Sequence, residues 1–479
     1  MSSWPLACAV NTNSSQNTGM PGNQAALSGK SRRNFLKTSA VAGTGLALQS
    51  ASILGQTTPD INRAGKKAVS LGVIGVGNRG RNLLNIAAKQ EGVIIRAICD
   101  INSAAIEASR KILASTGQDK ADVHDGDEHA YKKLLERDDI DGVIIATPWD
   151  WHVPMTLDAL KAGKYVGLEV PATMTLEECW LLVDACEKST TGKLMFLENC
   201  CYDRECLAVL RMLRDGLFRT PLHATCGYRH TAWGSGNWLK PVDPGSKSAH
   251  FMKYAASRNA DQYPTHGIGP VAHWFDINRG NRFASLNSVS TRSASINEYV
   301  TNHPQGGPGH PNATRKFEQG DVVTTILKTI KGETIVITYD NYLPRPYSRD
   351  YSLQGTGGIW SGGYQARGIY LEGKSPSKHQ WEKDAAYDKY FEKFDHPMWK
   401  QDGPKAASAG HGGIDYFTIR EYVECVRTDA PPPIDVYDAV TWSAIIPLSE
   451  ESIHKGGAAQ EFPDFTRGKW ETTKPSFGL

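Results

Sequence analysis

The sequence predicts an α/β domain on a parallel sheet, followed by an α+β domain on an open, mainly antiparallel sheet. Three observations predict it. A glycine-rich turn joins an apolar strand to an apolar-periodic helix close to Gly75. Strands and helices then alternate as far as residue 198. From residue 199 onward the rhythm changes to longer β-type runs between loops rich in Gly, Pro, Asn and His. The expected organisation is a leader and linker over 1–66, a nucleotide-binding domain over 67–198, and a substrate domain over 199–479.

The first domain rests on one segment. Val69 to Ile74 is an apolar strand, Gly75-Val76-Gly77-Asn78-Arg79-Gly80 is a G-x-G-x-x-G turn, and Leu83, Leu84, Ile86, Ala87 and Ala88 follow at helical spacing. A second apolar run, Val93 to Cys99, ends at Asp100. Strand, turn, helix, strand and acid together are the fingerprint of a Rossmann dinucleotide-binding domain. Gly75 allows the tight turn, Gly77 lets the backbone approach a pyrophosphate at a helix N-terminus, and Gly80 lets helix and strand pack closely. Asn78 and Arg79 lie in the same turn and are read as cofactor contacts. Asp100 suits ribose hydroxyls and would repel a 2′-phosphate, which predicts NAD rather than NADP. Arg79 and Arg81 weigh against that preference.

Further strands are expected at Gly142 to Thr147, Tyr165 to Glu169 and Leu194 to Leu197. Between them lie a helix from Val153 to Ala162 and one carrying Leu176, Cys179, Trp180, Leu182, Val183 and Cys186. In the second domain a helix near Leu207 to Leu213 precedes β-type runs at Leu222–His230, Val322–Thr329, Thr334–Tyr339 and Tyr351–Gln354. The segments Trp233–Ala249 and Asn302–Thr314 read as long loops that form a site. Ile414–Val426 reads as a helix, and Asp435–Ser452 as one final helix returning to the first domain.

Composition narrows the function. A formal charge of +2 over 479 residues makes no electrostatic case for nucleic acid or an anionic membrane surface. Twelve Trp and eighteen Tyr offer aromatic faces for carbohydrate rings. Nine cysteines form neither a C-x-x-C pair nor zinc-type spacing with His, so they read as buried thiols, and no metal is expected. Ser31-Arg32-Arg33-Asn34-Phe35-Leu36-Lys37 before the mildly apolar Ala40–Leu48 looks like a twin-arginine signal. It predicts the translocation machinery as a partner, an exported or periplasmic protein, and no stable membrane insertion, because the apolar run is too short to span a bilayer. Such a signal carries folded proteins, so a dinucleotide acquired in the cytoplasm would travel with the chain and be recycled in each turnover.

A Rossmann domain, an open antiparallel sheet and Glu169-Val170-Pro171 at a strand end resemble the Gfo/Idh/MocA oxidoreductases. Val170 stands where that family usually has a lysine that polarises the reacting hydroxyl, which argues against an ordinary sugar dehydrogenase. Several segments together resemble glycoside hydrolase family 109, the NAD-dependent α-N-acetylgalactosaminidases. They are Gly75–Gly80, Trp149-Asp150-Trp151-His152, Glu169-Val170-Pro171-Ala172, Glu198-Asn199-Cys200-Cys201-Tyr202, Tyr263-Pro264-Thr265-His266-Gly267, Asn278-Arg279-Gly280, Pro344-Arg345-Pro346-Tyr347-Ser348-Arg349 and Gly410-His411-Gly412-Gly413.

That resemblance implies a redox-neutral glycosidase. Hydride passes from C3 of the sugar to NAD, the ketone acidifies the C2 proton, a base removes it, and the C1 group is eliminated. Water then adds and the hydride returns. It implies His266 and Tyr263 as the acid/base pair, with Tyr202 as a third catalytic group. Trp149, His152, Glu169, Val170 and Asn199 would be further cofactor contacts. Tyr228, Tyr263, Pro264, Thr265, His266 and Tyr347 would bind substrate. One departure bears on the sugar. Family members carry a substrate-binding arginine upstream of the Tyr-Pro-Thr-His segment, where this chain has Phe251 with Lys253 nearby. The alternatives are an exported sugar oxidoreductase that keeps its NAD(P), and a carbohydrate-binding protein without turnover. A homodimer across the open sheet face is also expected.

Overall fold

The computed structural model describes residues 67–231, 238–239, 247–363 and 367–478. The arginine-pair segment and most of the loop from Trp233 lie outside the described residues. Two sheets organise the chain. The first is six-stranded and parallel: β1 (Val69–Ile74), β2 (Val93–Cys99), β3 (Asp122–His124), β4 (Gly142–Ile145), β5 (Tyr165–Leu168) and β6 (Lys193–Phe196), in the order β3-β2-β1-β4-β5-β6. Every residue of β1, β4 and β5 is buried, as expected for central strands covered by helices on both faces. The order reverses between β1 and β4, and a ligand crevice forms at such a point beyond the strands' carboxyl ends.

The second sheet has eight strands: β7 (Pro221–Arg229), β8 (Phe283–Ser290), β9 (Val322–Thr329), β10 (Thr334–Asp340), β11 (Ser352–Gly355), β12 (Gly358–Ser361), β13 (Gly368–Leu371) and β14 (Gln460–Glu461). Their order is β13-β12-β11-β7-β10-β9-β8-β14, antiparallel throughout except where β7 and β10 pair in parallel. In β9 buried Val323, Thr325, Leu327 and Thr329 alternate with more accessible neighbours, the period-two signature of a half-covered sheet. Val289 and Ile326 stand exposed on its strands.

The last part of the chain does return to the nucleotide domain, but the expected single helix over Asp435–Ser452 is two. Val436–Ser443 and Ile445–His454 meet at Ala444, three residues before Pro447, which cannot donate a helical backbone bond. Ser443 Oγ accepts from Ala172 N at 3.0 Å, and Phe196 N donates to Ile434 O at 3.0 Å. The helix Ile414–Thr428 packs beneath the parallel sheet, where the Tyr422 hydroxyl donates to Val143 O (3.0 Å) and Tyr165 O (2.9 Å). Gly142 and Gly167 lack side chains at that contact, and a Cβ on either would lie within 3 Å of the Tyr422 side chain. The C-terminal half is therefore built into the floor of the nucleotide domain.

Candidate active site

The nucleotide cradle comes from the turn after β1. Gly75 adopts φ +82°, and a Cβ there would press on Ala146 backbone at 2.8 Å. A Cβ on Gly80 would sit 1.7 Å from Gly75 O, so helix Asn78–Ala88 can approach only because both residues are glycine. Around Gly77 the space is open, and the buried Thr147 hydroxyl just after β4 has no partner among the described residues. The Asp100 carboxylate is fixed by Val76 N at 2.7 Å and Asn102 N at 2.8 Å. An open glycine cradle, a helix N-terminus and a fixed carboxylate fit a dinucleotide with an unphosphorylated ribose. Arg79 turns away from Asp100: its guanidinium bonds Glu169 Oε1 at 2.8 Å and Asp415 Oδ2 at 2.8 Å. Arg81 donates to Asn78 Oδ1. Arg79, which the sequence sets against the NAD preference, is thus committed elsewhere.

Two side chains expected at the cofactor are occupied by protein partners. His152 is buried, with Nδ1 2.7 Å from Pro171 O and Nε2 3.0 Å from Thr147 O. Its ring ties the ends of β4 and β5 together and offers no free nitrogen. Asn199 donates to Asp415 Oδ1 at 2.6 Å and accepts from the Cys200 thiol. Val170 is buried beside Glu169, whose Oε2 accepts from Val170 N at 3.3 Å.

The substrate side begins at Pro264, which caps helix Thr265–Trp274 and puts Thr265 and His266 in its first turn. Gly267, Gly269 and Pro270 are poor helix formers, so propensity alone does not account for this helix. Packing makes the helix. A Cβ on Gly267 would lie 2.9 Å from Gly227 N of β7, and one on Gly269 would lie 2.9 Å from Cys201 Sγ. The helix is thereby wedged between β7 and the turn Asn199–Tyr202, and His266 meets Glu198. The His266 Nδ1 lies 2.8 and 3.0 Å from the two Glu198 oxygens, with Glu198 fully buried. Burial alone would raise the Glu198 pKa, but the His266 ring and Cys200 N (3.0 Å) outweigh it and hold the carboxylate below its ordinary range. A carboxylate on Nδ1 fixes the tautomer and leaves Nε2 for proton transfer.

Around His266 lies an aromatic cluster. Ring centroids separate Tyr263 and His266 by 4.9 Å, Tyr228 and Tyr263 by 4.7 Å, Tyr228 and His266 by 5.6 Å, and Tyr228 and Tyr347 by 5.9 Å. Trp149 stacks on Tyr263 at 5.7 Å, which joins the end of β4 to the substrate side. Tyr347 is the exposed rim, and Arg349 donates to its hydroxyl at 2.8 Å. Burial pushes the Tyr263 hydroxyl well above its ordinary pKa and the Tyr347 hydroxyl up to about 12, so both remain protonated donors near neutrality. Tyr202 does not join them. Its ring is fully buried edge-on to Phe477, at 5.3 Å between centroids. Tyr202 is a core side chain at the end of the turn Asn199–Tyr202, where its carbonyl accepts from Trp399 Nε1 at 2.9 Å. Phe251's side chain lies outside the described residues, and Lys253 Nζ pairs with Asp150 at 2.6 Å.

Two acids join the site only in three dimensions, Glu198 and Asp415. Glu198 had a positional signal, since it immediately follows a parallel strand where sites form. Asp415 had none of its own; it meets Arg79 only in three dimensions, and the nearby Gly410-His411-Gly412-Gly413 is the sole local hint. The thiol of Cys200, with Glu198 and His266, forms a compact trio of metal-binding side-chain types. The histidine–carboxylate hydrogen bond accounts for that proximity. Among the described residues the cysteines are all free thiols, and no helix is long and apolar enough to cross a membrane.

Comparisons with known proteins agree with this geometry. Residues 69–195 match the oxidoreductase family with an NAD-binding Rossmann fold, and residues 202–472 match the C-terminal domain of glycosyl hydrolase 109. The chain is 41% identical over 475 residues to an alpha-N-acetylgalactosaminidase of Tannerella forsythia, covering 94% of this chain and 99% of that one. It is 43% identical over 462 residues to a glycosyl hydrolase family 109 protein of Stenotrophomonas maltophilia, covering 94% and 98%. Among solved structures, levoglucosan dehydrogenase in complex with NADH and levoglucosan superposes with a TM-score of 0.60 at 17% identity, covering 83% of this chain and 100% of that one. Scyllo-inositol dehydrogenase from Lactobacillus casei superposes at 0.56 and 14%, covering 83% and 99%; these two likenesses show the fold. With an NAD-binding Rossmann domain in front and a glycosidase domain behind, the chain belongs to glycosyl hydrolase family 109.

Proposed function

We propose that this enzyme releases terminal α-N-acetylgalactosamine, or a closely related sugar, from glycans without net redox change, using an NAD that stays bound. The observation that carries the reading is the Glu198–His266 pair, set between the nucleotide crevice and an aromatic pocket. Bound NAD supplies a reversible hydride acceptor for C3 of the sugar. Every other part falls to the chain. Tyr263, a protonated phenol, donates to the C3 oxygen and so acidifies the neighbouring C2 proton. His266 removes and returns protons at the sugar through Nε2, with Glu198 stabilising the imidazolium. Tyr228 and Tyr347 line the ring's faces and rim, and Pro264 and Thr265, both buried, seat His266 at the start of its helix. Loss of the C2 proton expels the C1 substituent, and water takes its place. No pair of carboxylates flanking the bond is required.

The alternative of a sugar oxidoreductase with retained cofactor is disfavoured by Val170 in the lysine position. A binding protein without turnover is disfavoured by the intact Glu198–His266 dyad. The Arg32-Arg33 segment supports export in the folded state through the twin-arginine machinery to the periplasm, with cofactor aboard. The half-covered second sheet, with Val289 and Ile326 exposed, supports a homodimer. The mechanism is tested by cleaving a p-nitrophenyl α-N-acetylgalactosaminide in D₂O. Deuterium at C2 of the released sugar is expected. Nitrophenol release with the C2 proton still fully protium, in an enzyme whose pocket exchanges with solvent, refutes the elimination route.

A further inference from the structure

The C-terminal half sends one polar segment to the mouth of the nucleotide crevice. Its centre is Asp415, fully buried, whose two oxygens receive four side-chain groups: Arg79 at 2.8 Å, Asn82 at 3.0 Å, Asn199 at 2.6 Å and His411 Nδ1 at 2.7 Å. Arg79 and Asn82 belong to the first turns of helix Asn78–Ala88, and Asn199 follows β6. Asp415 thus lashes helix Ile414–Thr428 to the end of the crevice where a dinucleotide's phosphates rest. Burial opposes ionisation of Asp415, but the His411 and Arg79 bonds overcome it and hold the carboxylate well below its ordinary range.

His411 is the member of this set that faces solvent. Its side chain is 53% exposed, and its backbone takes φ +53°, a left-handed conformation uncommon for any residue with a side chain. Gly412 and Gly413 continue with φ +69° and +102°. Gly410 has no side chain because a Cβ would lie 2.4 Å from Asn82 and 2.5 Å from Asp415. The segment pays a conformational cost to press a histidine against the cradle, with one ring nitrogen held by Asp415 and the other turned outward.

We infer that His411, aligned by Asp415, is a latch on the resident dinucleotide: its outward ring nitrogen donates to the phosphates and slows their escape. This rests on the resident-NAD reading above and assigns its retention to a residue anchored through Asp415, which meets Arg79 across 336 positions of sequence. The anions around this end of the cradle already have partners: Asp415 is bonded by Arg79, Asn82, Asn199 and His411, Glu169 by Arg79, and Asp100 by Val76 N and Asn102 N, so the second His411 ring nitrogen is the donor offered to the ligand.

The test is cofactor release from the full enzyme. Wild type, His411→Ala and Asp415→Asn are purified identically, and NAD is quantified in acid extracts before and during dilution into a scavenging dehydrogenase that consumes free NAD. His411→Ala, a change at an exposed side chain, is expected to release NAD about 10- to 100-fold faster, the effect of one lost charge-assisted hydrogen bond. Excess NAD in the assay is expected to restore its turnover. Asp415→Asn is expected to release faster still. A wild type that holds NAD, with His411→Ala releasing it at the same rate, overturns the latch alone. A wild type purified without NAD overturns the resident-cofactor reading and the latch together.

Discussion

Glutamine in place of Glu198 isolates what the buried carboxylate does for His266. The substitution keeps shape and volume, and the amide oxygen can still accept from Nδ1. What is lost is a negative charge facing the ring at 2.8 and 3.0 Å in a fully buried site. A hydrogen bond to a charged group contributes about 1.5–3 kcal/mol. The charge matters most when His266 holds a proton, a state passed through during turnover, so the loss falls on the barrier rather than on sugar binding. At about 1.4 kcal/mol per tenfold in rate, kcat should drop roughly 10- to 150-fold with KM little changed. The assay is nitrophenol release under substrate saturation. NAD content and thermal midpoint are measured on the same sample, since a purely structural role would move those instead. A Glu198→Gln enzyme with kcat within about twofold of wild type would falsify the assignment of Glu198 as the group that positions and charges His266.

Two further outcomes follow from neighbouring residues. His266→Ala should keep NAD bound, because the ring touches none of the cradle residues, yet lose most turnover; near-normal activity with cofactor present would remove His266 from the mechanism. Asp261 lies two residues before Tyr263, fully buried, with no side-chain partner for its carboxylate among the described residues, and burial, opposed only by the Tyr263 backbone, pushes its pKa from 3.8 up to about 7. Well below pH 3.8 both folded and unfolded chains carry this proton. As pH rises toward 7 the unfolded chain sheds it first, so native stability falls by on the order of 4 kcal/mol and levels off above the folded pKa. Asp261→Asn should therefore flatten the decline in urea-unfolding stability between pH 4 and 7 and be the more stable form at pH 8. An unchanged pH profile would show that Asp261 has a partner that keeps it ionised.

The nucleotide half was legible because its signals are local. Strand, glycine turn, helix and terminal acid occupy one short stretch around Gly75–Asp100; Gly75 and Gly80 each answer to a steric contact at their own position, and Gly77 leaves the cradle open. The second half was legible only in outline. Strands β7, β9, β10 and β11 are anticipated by their β-type runs, but β12 and β13 are four residues each and carry too little pattern to read. Helix Thr265–Trp274 contradicts its own propensities and exists because two of its glycines fit against Gly227 and Cys201. The site residues that went unread are those made by distance. Glu198 acquires its role from His266, 68 positions on, and Asp415 from Arg79, 336 positions back. Tyr202 shows the same limit: its turn neighbour Cys200 lies beside Glu198 and His266, while its own ring packs against Phe477.

The most direct test of a recycled cofactor is a count of turnovers per bound NAD, with no cofactor added and absorbance followed at both the nitrophenol and nicotinamide bands. Many nitrophenols released per NAD, with no accumulating reduced nicotinamide and with activity abolished by stripping and restored by NAD, is the predicted result. Full-speed cleavage by stripped protein, or one reduced nicotinamide for each sugar processed, would contradict it.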